Sequence, residues 1–458
     1  MINNRIITLF FCLICNVSVI FADIPAAPSL VPENISISKE IPEEGIYLTK
    51  SEFETFLQQY HSEHSQKQGW SPKNPALKNL AWKKGNFTIT PYGFIYLSTS
   101  YETQRTIDGD CSLYANSPDF ERDASFNIDP KSSRLGVKLE GPGIPIWNGS
   151  KSEGAIEFDF QGAFNSRNRG SLLFRKAYVA ISDGYTKFFV GQDWEIVSPL
   201  APNILNDAMG WDAGNLGCRR AMLRIDHKFD FCNSSHLLAQ FCIGDNVFRG
   251  GALASPAATS WPVFQGRLAY TFGEGYFQHG KPITLGLSSH IGAQRFTFAE
   301  NDRKELKTWS FNVDVDLPIT KKLGFQMEYF LGENLATIEG GIGQGVDFQR
   351  RNTIRSQGGW VGFLYQCTKK LQMNFCYLLD DPFNKDVVSG CDGNNLSRTY
   401  NQVFFLNAMY NWNDALMTGF EVDFWRTHWQ RYNPLNNTVT ALTPGTPIRY
   451  ELLIRYSF

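Results

Sequence analysis

Residues 153–164 read Glu-Gly-Ala-Ile-Glu-Phe-Asp-Phe-Gln-Gly-Ala-Phe, and alternate positions in this stretch differ in polarity. One set of positions holds Ile156, Phe158 and Phe160, and the other holds Glu157, Asp159 and Gln161. Because successive side chains of a β-strand point to opposite faces, the spacing predicts a strand with one apolar and one polar face. The polar row carries too many charges for a protein core, so we expect it to meet water.

The same alternation recurs from residue 82 to residue 458. It predicts about sixteen strands, at residues 86–104, 133–141, 153–164, 172–182, 186–194, 219–228, 235–244, 263–272, 282–298, 307–318, 323–332, 358–367, 370–380, 400–412, 415–427 and 447–458. Many of these runs reach the roughly 9 to 11 residues that a tilted membrane-crossing strand needs. A soluble β-sandwich also alternates, but its inward rows are apolar. The expected fold is therefore all-β, an antiparallel transmembrane β-barrel.

The links between the candidate strands alternate in length, as they do in outer-membrane barrels with short periplasmic turns and long external loops. Short links include 183–185, 318–322 and 413–414, whereas long links include 106–132, 195–218 and 333–358. An even number of strands then places both ends of the barrel in the periplasm. The chain finishes on an apolar row at every second residue, made of Ile448, Tyr450, Leu452, Ile454, Tyr456 and Phe458.

Residues 1–22 predict an export signal, with Arg5 before an apolar run and the small residue Ala22 at the cleavage point. A retained membrane anchor is the alternative. No later stretch approaches the roughly 20 apolar residues of a spanning helix, so after export only a barrel would cross a membrane. The predicted location is the bacterial outer membrane.

Residues 23–81 predict a periplasmic lead before the barrel, which is expected over residues 82–458. Within the lead, Phe53, Phe56, Leu57 and Tyr60 share one helical stripe, which predicts a short amphipathic helix. His61 and His64 also share a face at a spacing known from metal sites, but two exposed imidazoles without further ligands more often bind nothing. We expect neither a metal nor a cofactor.

Composition and motifs exclude several classes of function. With a net charge of −2, the chain lacks the excess positive charge that would attract nucleic acid in general. The chain has neither a Gly-x-Ser-x-Gly elbow nor a His-Glu-x-x-His motif, so we expect no enzyme. The predicted mature chain keeps an odd set of cysteines, at positions 111, 218, 232, 242, 367, 376 and 391. Because Cys111 and Cys391 fall in predicted external loops, a disulfide-crosslinked structural or adhesive surface protein is the alternative function.

Several short stretches carry a resemblance to a known family. They are Pro91-Tyr-Gly-Phe94, Ser133-Arg-Leu-Gly136, Ile156-Glu-Phe-Asp-Phe-Gln161, Val190-Gly-Gln-Asp-Trp194 and Arg398-Thr-Tyr-Asn-Gln402. Over about residues 82–458 the chain resembles trimeric general-diffusion and substrate-preferring porins, most closely those with an N-terminal helical lead. The resemblance implies a homotrimer in outer-membrane lipid, inserted by the barrel assembly machinery, through which small hydrophilic solutes diffuse passively.

The resemblance also implies that the third external loop, residues 195–218, folds into the barrel and narrows it. Its acidic candidates for the constriction are Glu195, Asp207 and Asp212. Lumen-facing positions predict a basic strip of Arg134, Lys138, Arg220, Arg224, Arg449 and Arg455, with Glu157 and Asp159 as acidic residues on the wall. Opposite charges across a narrow pore create a transverse field. The basic strip would favour small anions such as carboxylates or phosphates, whereas inward-facing carboxylates would favour cations; these are Asp314, Asp316, Glu328, Glu421 and Asp423.

Overall fold

The computed structural model describes residues 81–107, 111–120, 122–162, 170–231, 235–246, 261–273, 282–299, 302–388 and 395–458. The predicted signal peptide and amphipathic helix lie outside the described residues. No helix in the described ranges is long and apolar enough to cross a membrane.

The described chain consists almost entirely of β-strands. They are β1 (Trp82–Lys84), β2 (Phe87–Glu102), β3 (Ser125–Asp129), β4 (Arg134–Pro142), β5 (Lys151–Asp159), β6 (Leu173–Ser182), β7 (Thr186–Trp194), β8 (Arg219–Asp230), β9 (His236–Gly244), β10 (Val263–Phe272), β11 (Ile283–Ala299), β12 (Asp302–Pro318), β13 (Leu323–Glu333), β14 (Val346–Asp347), β15 (Asn352–Thr353), β16 (Arg355–Gln366), β17 (Leu371–Pro382), β18 (Leu396–Asn411), β19 (Leu416–Asn433), β20 (Thr438–Ala441) and β21 (Ile448–Ser457). A short 3-10 helix, Leu335–Ile338, follows β13.

Sixteen long strands form a closed antiparallel barrel. Each pairs with the next along the chain, and β21 pairs with β2 to close the wall. The strand pair β3 and β4 shares β2 as a neighbour, because residues 130–133 interrupt the second strand of the wall. Two further short strands, β1 and β20, extend the edges of β2 and β19. The prediction of an all-β barrel of sixteen strands is confirmed.

Strand bounds agree with the prediction to within a few residues in most of the wall. β12 begins early, at Asp302, and β19 continues to Asn433. By contrast, β5 ends at Asp159, before the predicted end at residue 164. There the Asp159 carboxylate accepts the backbone N–H of Gln161 at 3.1 Å, and the N–H of Phe160 bonds to Lys131 O at 3.0 Å. These bonds turn the chain away from the wall although the alternation of side chains continues.

The two faces of the wall follow the predicted alternation. Ile156 is 48% exposed on the outside, whereas its neighbour Glu157 is 1% exposed on the inside. Short turns join the strands at one end of the barrel, for example at residues 183–185, and the longer connections lie at the other end. We refer to these as the short-turn end and the long-loop end.

Candidate permeation pathway

Residues 195–218, which connect β7 to β8, lie inside the barrel. Two inward-facing carboxylates of the wall hold their main chain. The N–H of Leu200 donates to Glu328 Oε1 of β13 at 2.7 Å, and the N–H groups of Leu205 and Asn206 donate to Glu421 of β19 at 2.8 and 3.2 Å. Because β13 and β19 are separated by three strands of the wall, these bonds stretch the loop across the lumen.

The same loop is held by apolar packing. Leu200, Ile204 and Ala213 form a buried cluster with inward-facing side chains of β16 to β19, namely Trp360, Cys376, Leu378, Val403, Phe405 and Trp425. Burial of one such leucine or isoleucine contributes about 1.5–3 kcal/mol. The inner face of these four strands is therefore apolar where the loop covers it. Inward-facing residues elsewhere on the wall are mostly polar.

Two further segments fill the lumen from the long-loop end. Residues 334–354 dock through the N–H of Ile342, which donates to Asp380 Oδ2 at 3.0 Å, and through Arg398 Nε, which donates to Ile342 O at 2.9 Å. They also meet the first loop, since Gly217 N donates to Ile338 O at 2.7 Å. Residues 111–115 pack on the other side of that loop, where Asn206 and Ser112 exchange hydrogen bonds of 2.7 and 3.1 Å.

The inner wall of β4 to β6 carries a basic cluster. Arg175 bonds to Glu157 Oε1 at 3.0 Å and to Asp159 Oδ2 at 2.6 Å, and Arg134 lies 3.7 Å from the same Glu157 oxygen. The Tyr92 hydroxyl donates to the other Glu157 oxygen at 2.8 Å. Two carboxylates and one hydroxyl therefore fix the guanidinium groups in one arrangement.

Aromatic rings support these guanidinium groups. Arg134 and Arg455 lie 5.0 and 5.5 Å from the centroid of Phe94. Arg219 lies 4.9 Å from the centroid of Trp194, and that ring is 6.2 Å from Trp211 of the inserted loop. Stacking on an aromatic face keeps an arginine extended while its planar donors stay available.

The inserted loop presents a carboxylate to the basic cluster. Asp207 is partly exposed and lies within electrostatic range of both Arg134 and Arg175. Its neighbours Met209 and Trp211 are also partly exposed, whereas most of the loop is buried. We take the region where these three partly exposed loop residues face the arginine-bearing wall as the candidate permeation pathway.

The other predicted site residues occupy different surroundings. Glu195 pairs with Arg220 at 3.1 Å, and Asp212 is buried beside Gly343 of the second inserted segment. Arg224 lies 3.1 Å from Asp226, whereas Lys138 is exposed in the lumen.

Arg449 differs most from the expectation of a solvated basic strip. It is completely buried and lies 3.5 Å from Glu102 and 3.4 Å from Asp423, and it also contacts Glu451. Its charge is enclosed by carboxylates and ties β21 to β2 and β19.

Three residues of the basic cluster, Arg175, Lys176 and Arg219, were not among the predicted site residues. A register shift in the pairing of β5 with β6, between Glu157 and Phe158, lets Arg175 meet two wall carboxylates. Arg219 lies at the start of β8, beside the root of the inserted loop, where simple alternation no longer assigns a face. The adjacent basic pairs Arg175-Lys176 and Arg219-Arg220 were the only signal in the sequence.

The cysteines were expected to include exposed thiols in the long loops. Cys111 is instead 5% exposed and packs with Leu113 and Ala208. A thiol in this position does not reach a neighbouring protein. Cys232 and Cys391 lie outside the described residues.

No family model and no curated protein matches the sequence. Solved structures do match the fold. The outer-membrane channel DcaP of Acinetobacter baumannii superposes with a TM-score of 0.59 at 16% identity, over 82% of this chain and 99% of that chain. The anion-selective porin from Comamonas acidovorans gives a TM-score of 0.52 at 12% identity, over 81% and 100% of the two chains. Salmonella typhi OmpF in complex with daunomycin gives 0.50 at 11% identity, over 82% and 100%.

At these low identities, the superpositions show a shared fold and do not identify the transported solute. The matches cover nearly the whole length of each channel, and the wall of this chain is closed, with an apolar outer face. Both features support the fold of a membrane-spanning β-barrel. This chain has the closed sixteen-stranded barrel fold of the outer-membrane porins.

Proposed function

We propose that the protein is a passive outer-membrane porin that admits small hydrophilic solutes and favours small anions. The observation that carries this proposal is the basic cluster facing Asp207 across the candidate pathway. A permeating carboxylate or phosphate would exchange water for guanidinium donors along the wall.

The charges of the cluster support a preference for anions. Its basic members are Arg134, Lys138, Arg175, Lys176, Arg219 and Arg455, and the wall carboxylates beside them are Glu140, Glu153, Glu157, Asp159 and Asp193. Glu153 also pairs with Lys187 of β7, so cations outnumber carboxylates on this wall by seven to five. In a confined, low-dielectric passage a fixed excess of positive charge attracts anions and repels cations.

Other carboxylates in the lumen would favour cations, but several of them are already bound to main-chain N–H groups or to an arginine. Glu328 and Glu421 accept main-chain N–H groups of the inserted loop, and Asp314 pairs with Arg267 at 2.8 Å. Groups held in this way are shielded from a passing ion by the loop and by their partners.

The fold also bears on assembly and orientation. The Comamonas acidovorans protein is an anion-selective porin, and its barrel is similar to this one. We propose a homotrimer in outer-membrane lipid, with the long-loop end outside and both barrel termini in the periplasm. A disulfide-linked surface lattice receives less support, because Cys111 is buried.

Planar-bilayer recording of the refolded full chain tests the proposal. We expect small conductance steps in groups of three and a reversal potential of the anion-selective sign in asymmetric KCl. Arg175→Gln and Arg134→Gln should each shift the reversal potential toward cations, whereas Asp207→Asn should shift it toward anions. The matched control is Arg303→Gln, which removes an exposed charge outside the lumen.

Two results would contradict this assignment. Cation selectivity of the unmodified protein would remove the anion preference. A silent bilayer from a folded barrel would mean that the three inserted segments close the lumen, and it would overturn passive diffusion.

A further inference from the structure

A polar patch interrupts the outer face of the wall near the long-loop end. It consists of Tyr377 of β17, Tyr400 and Gln402 of β18, and Arg426 and His428 of β19. Arg426 is exposed, whereas its neighbours Trp425 and Thr427 are buried and face inward. We call these five residues the outer patch.

Hydrogen bonds within the outer patch preorganise its donors. Gln402 Oε1 accepts from the hydroxyl of Tyr377 at 2.9 Å and from the hydroxyl of Tyr400 at 2.7 Å. Gln402 is the direct cross-strand partner of Arg426, and Tyr400 is the partner of His428. Because the carboxamide oxygen accepts from both tyrosine hydroxyls, the amide nitrogen of Gln402 remains as a donor on the strand beside Arg426.

A row of phenylalanines lies on the short-turn side of the outer patch. Its rings run from β13 to β19 as Phe325, Phe363, Phe375, Phe404 and Phe424, with successive centroids 5.2, 6.4, 4.6 and 6.0 Å apart. The outward positions of β19 below Arg426 are Leu416, Thr418, Phe420, Val422 and Phe424. The nine residues 416–424 extend about 3.3 Å each along a strand that is tilted by about 40° from the barrel axis. They therefore rise roughly 23 Å along that axis, close to the height of the apolar band of a membrane barrel.

Arg426 therefore lies where the apolar band ends and lipid headgroups begin. An arginine on the lipid face costs about 2–4 kcal/mol at the bilayer centre and close to zero at the interface. Asp381 is a carboxylate that interacts electrostatically with Tyr400 of the outer patch. Among the described residues Arg426 has a hydrogen bond to His428 Nε2 at 3.0 Å and no ion pair with a carboxylate.

We infer that the outer patch binds the phosphorylated headgroup of a membrane lipid, with an acyl chain lying over the phenylalanine row. The guanidinium fork matches the geometry of a phosphate, and the amide and imidazole add neutral donors. A soluble anion would gain nothing from the phenylalanine row, whereas a lipid uses both features at once.

Native mass spectrometry of the detergent-solubilised full chain tests this inference. The probes are lipid A with its two phosphates and the same lipid after dephosphorylation. The unmodified protein should retain the phosphorylated probe selectively, and Arg426→Gln should weaken retention about tenfold, the order expected for one charge-assisted contact. Arg426→Lys should have an intermediate effect, since it keeps the charge and loses the fork.

The matched control is Arg295→Gln, which removes an outward arginine on β11 that pairs with Glu305 at 3.2 Å. This variant should retain the lipid as the unmodified protein does. Equal retention of both probes, or equal loss in both variants, would overturn the inference. If Arg426→Gln instead released monomers without changing lipid retention, the outer patch would be a subunit contact. Channel conductance is measured separately, so a silent bilayer leaves this test intact.

Discussion

Gly214 shows how one residue adapts the inserted loop to the barrel wall. Its φ of +127° is a conformation that residues with a side chain rarely adopt. A Cβ atom at this position would lie 2.3 Å from Gly359 O and 2.7 Å from Leu379 O, both main-chain atoms of the wall. The absence of a side chain therefore lets the loop backbone contact β16 and β17 directly.

Gly214→Ala should lift the loop from the wall and destabilise the barrel by about 1–3 kcal/mol, the cost of local backbone strain. The measurement is the urea midpoint of unfolding, followed through tryptophan fluorescence. Gly149→Ala is the control, because Gly149 also has a positive φ of +78° but no neighbour within 4 Å of the added Cβ. Equal midpoints for both variants would show that the close approach to the wall is not limiting.

At the scale of elements, the loop of residues 195–218 depends on acceptors that belong to the wall. Glu421 accepts two main-chain N–H groups of the loop, and it also accepts from Asn407 Nδ2 at 2.6 Å. Asn407 Nδ2 in turn reaches Asn203 O at 2.6 Å. The position of the loop is thus determined by β18 and β19 as much as by its own sequence.

Glu421→Ala should loosen the loop, because each buried donor left without a partner costs about 1–3 kcal/mol. We expect larger and noisier conductance steps in a planar bilayer, with the barrel still folded. Asp414→Ala removes a carboxylate from the exposed turn between β18 and β19 and is the matched control. Unchanged step size in Glu421→Ala would mean that apolar packing alone holds the loop.

At the scale of the whole molecule, stability requires closure of the wall. β21 pairs with β19 on one side and with β2 on the other, and Phe458 and Gly93 exchange backbone hydrogen bonds of 3.0 and 3.2 Å. An open edge in lipid would leave a row of main-chain groups without partners. The last strand, β21, therefore contributes more to stability than its length alone would suggest, because it closes the barrel wall.

Deletion of residues 448–458 should abolish the folded species, because it opens both neighbouring edges. The readout is the heat-modifiable band in gel electrophoresis, together with resistance to trypsin. Removal of Leu435, Asn436 and Asn437 from the exposed turn between β19 and β20 is the control and should leave the folded band in place. A folded band after the large deletion would argue that the wall closes without β21.

Much of the fold was predictable because alternation with period two is a local property of a strand. Glu157 and Ile156 were assigned to opposite faces from their own neighbours, and the structure confirms both. The number of strands, the order of short and long connections and the closing apolar row follow from the same local pattern. Each of them can be read without knowing which strand lies opposite.

Tertiary structure alone decided how the charges of the lumen are used. Arg449 looked like part of a solvated basic strip, but strands distant in sequence enclose it with Glu102 and Asp423. Arg175 enters the candidate pathway because a register shift brings it to Glu157 and Asp159. Electrostatic interactions depend on distances between strands and on burial, and a pattern along one strand contains neither of these. The sequence by itself therefore determined the barrel, whereas only the folded chain decided which charges line its passage.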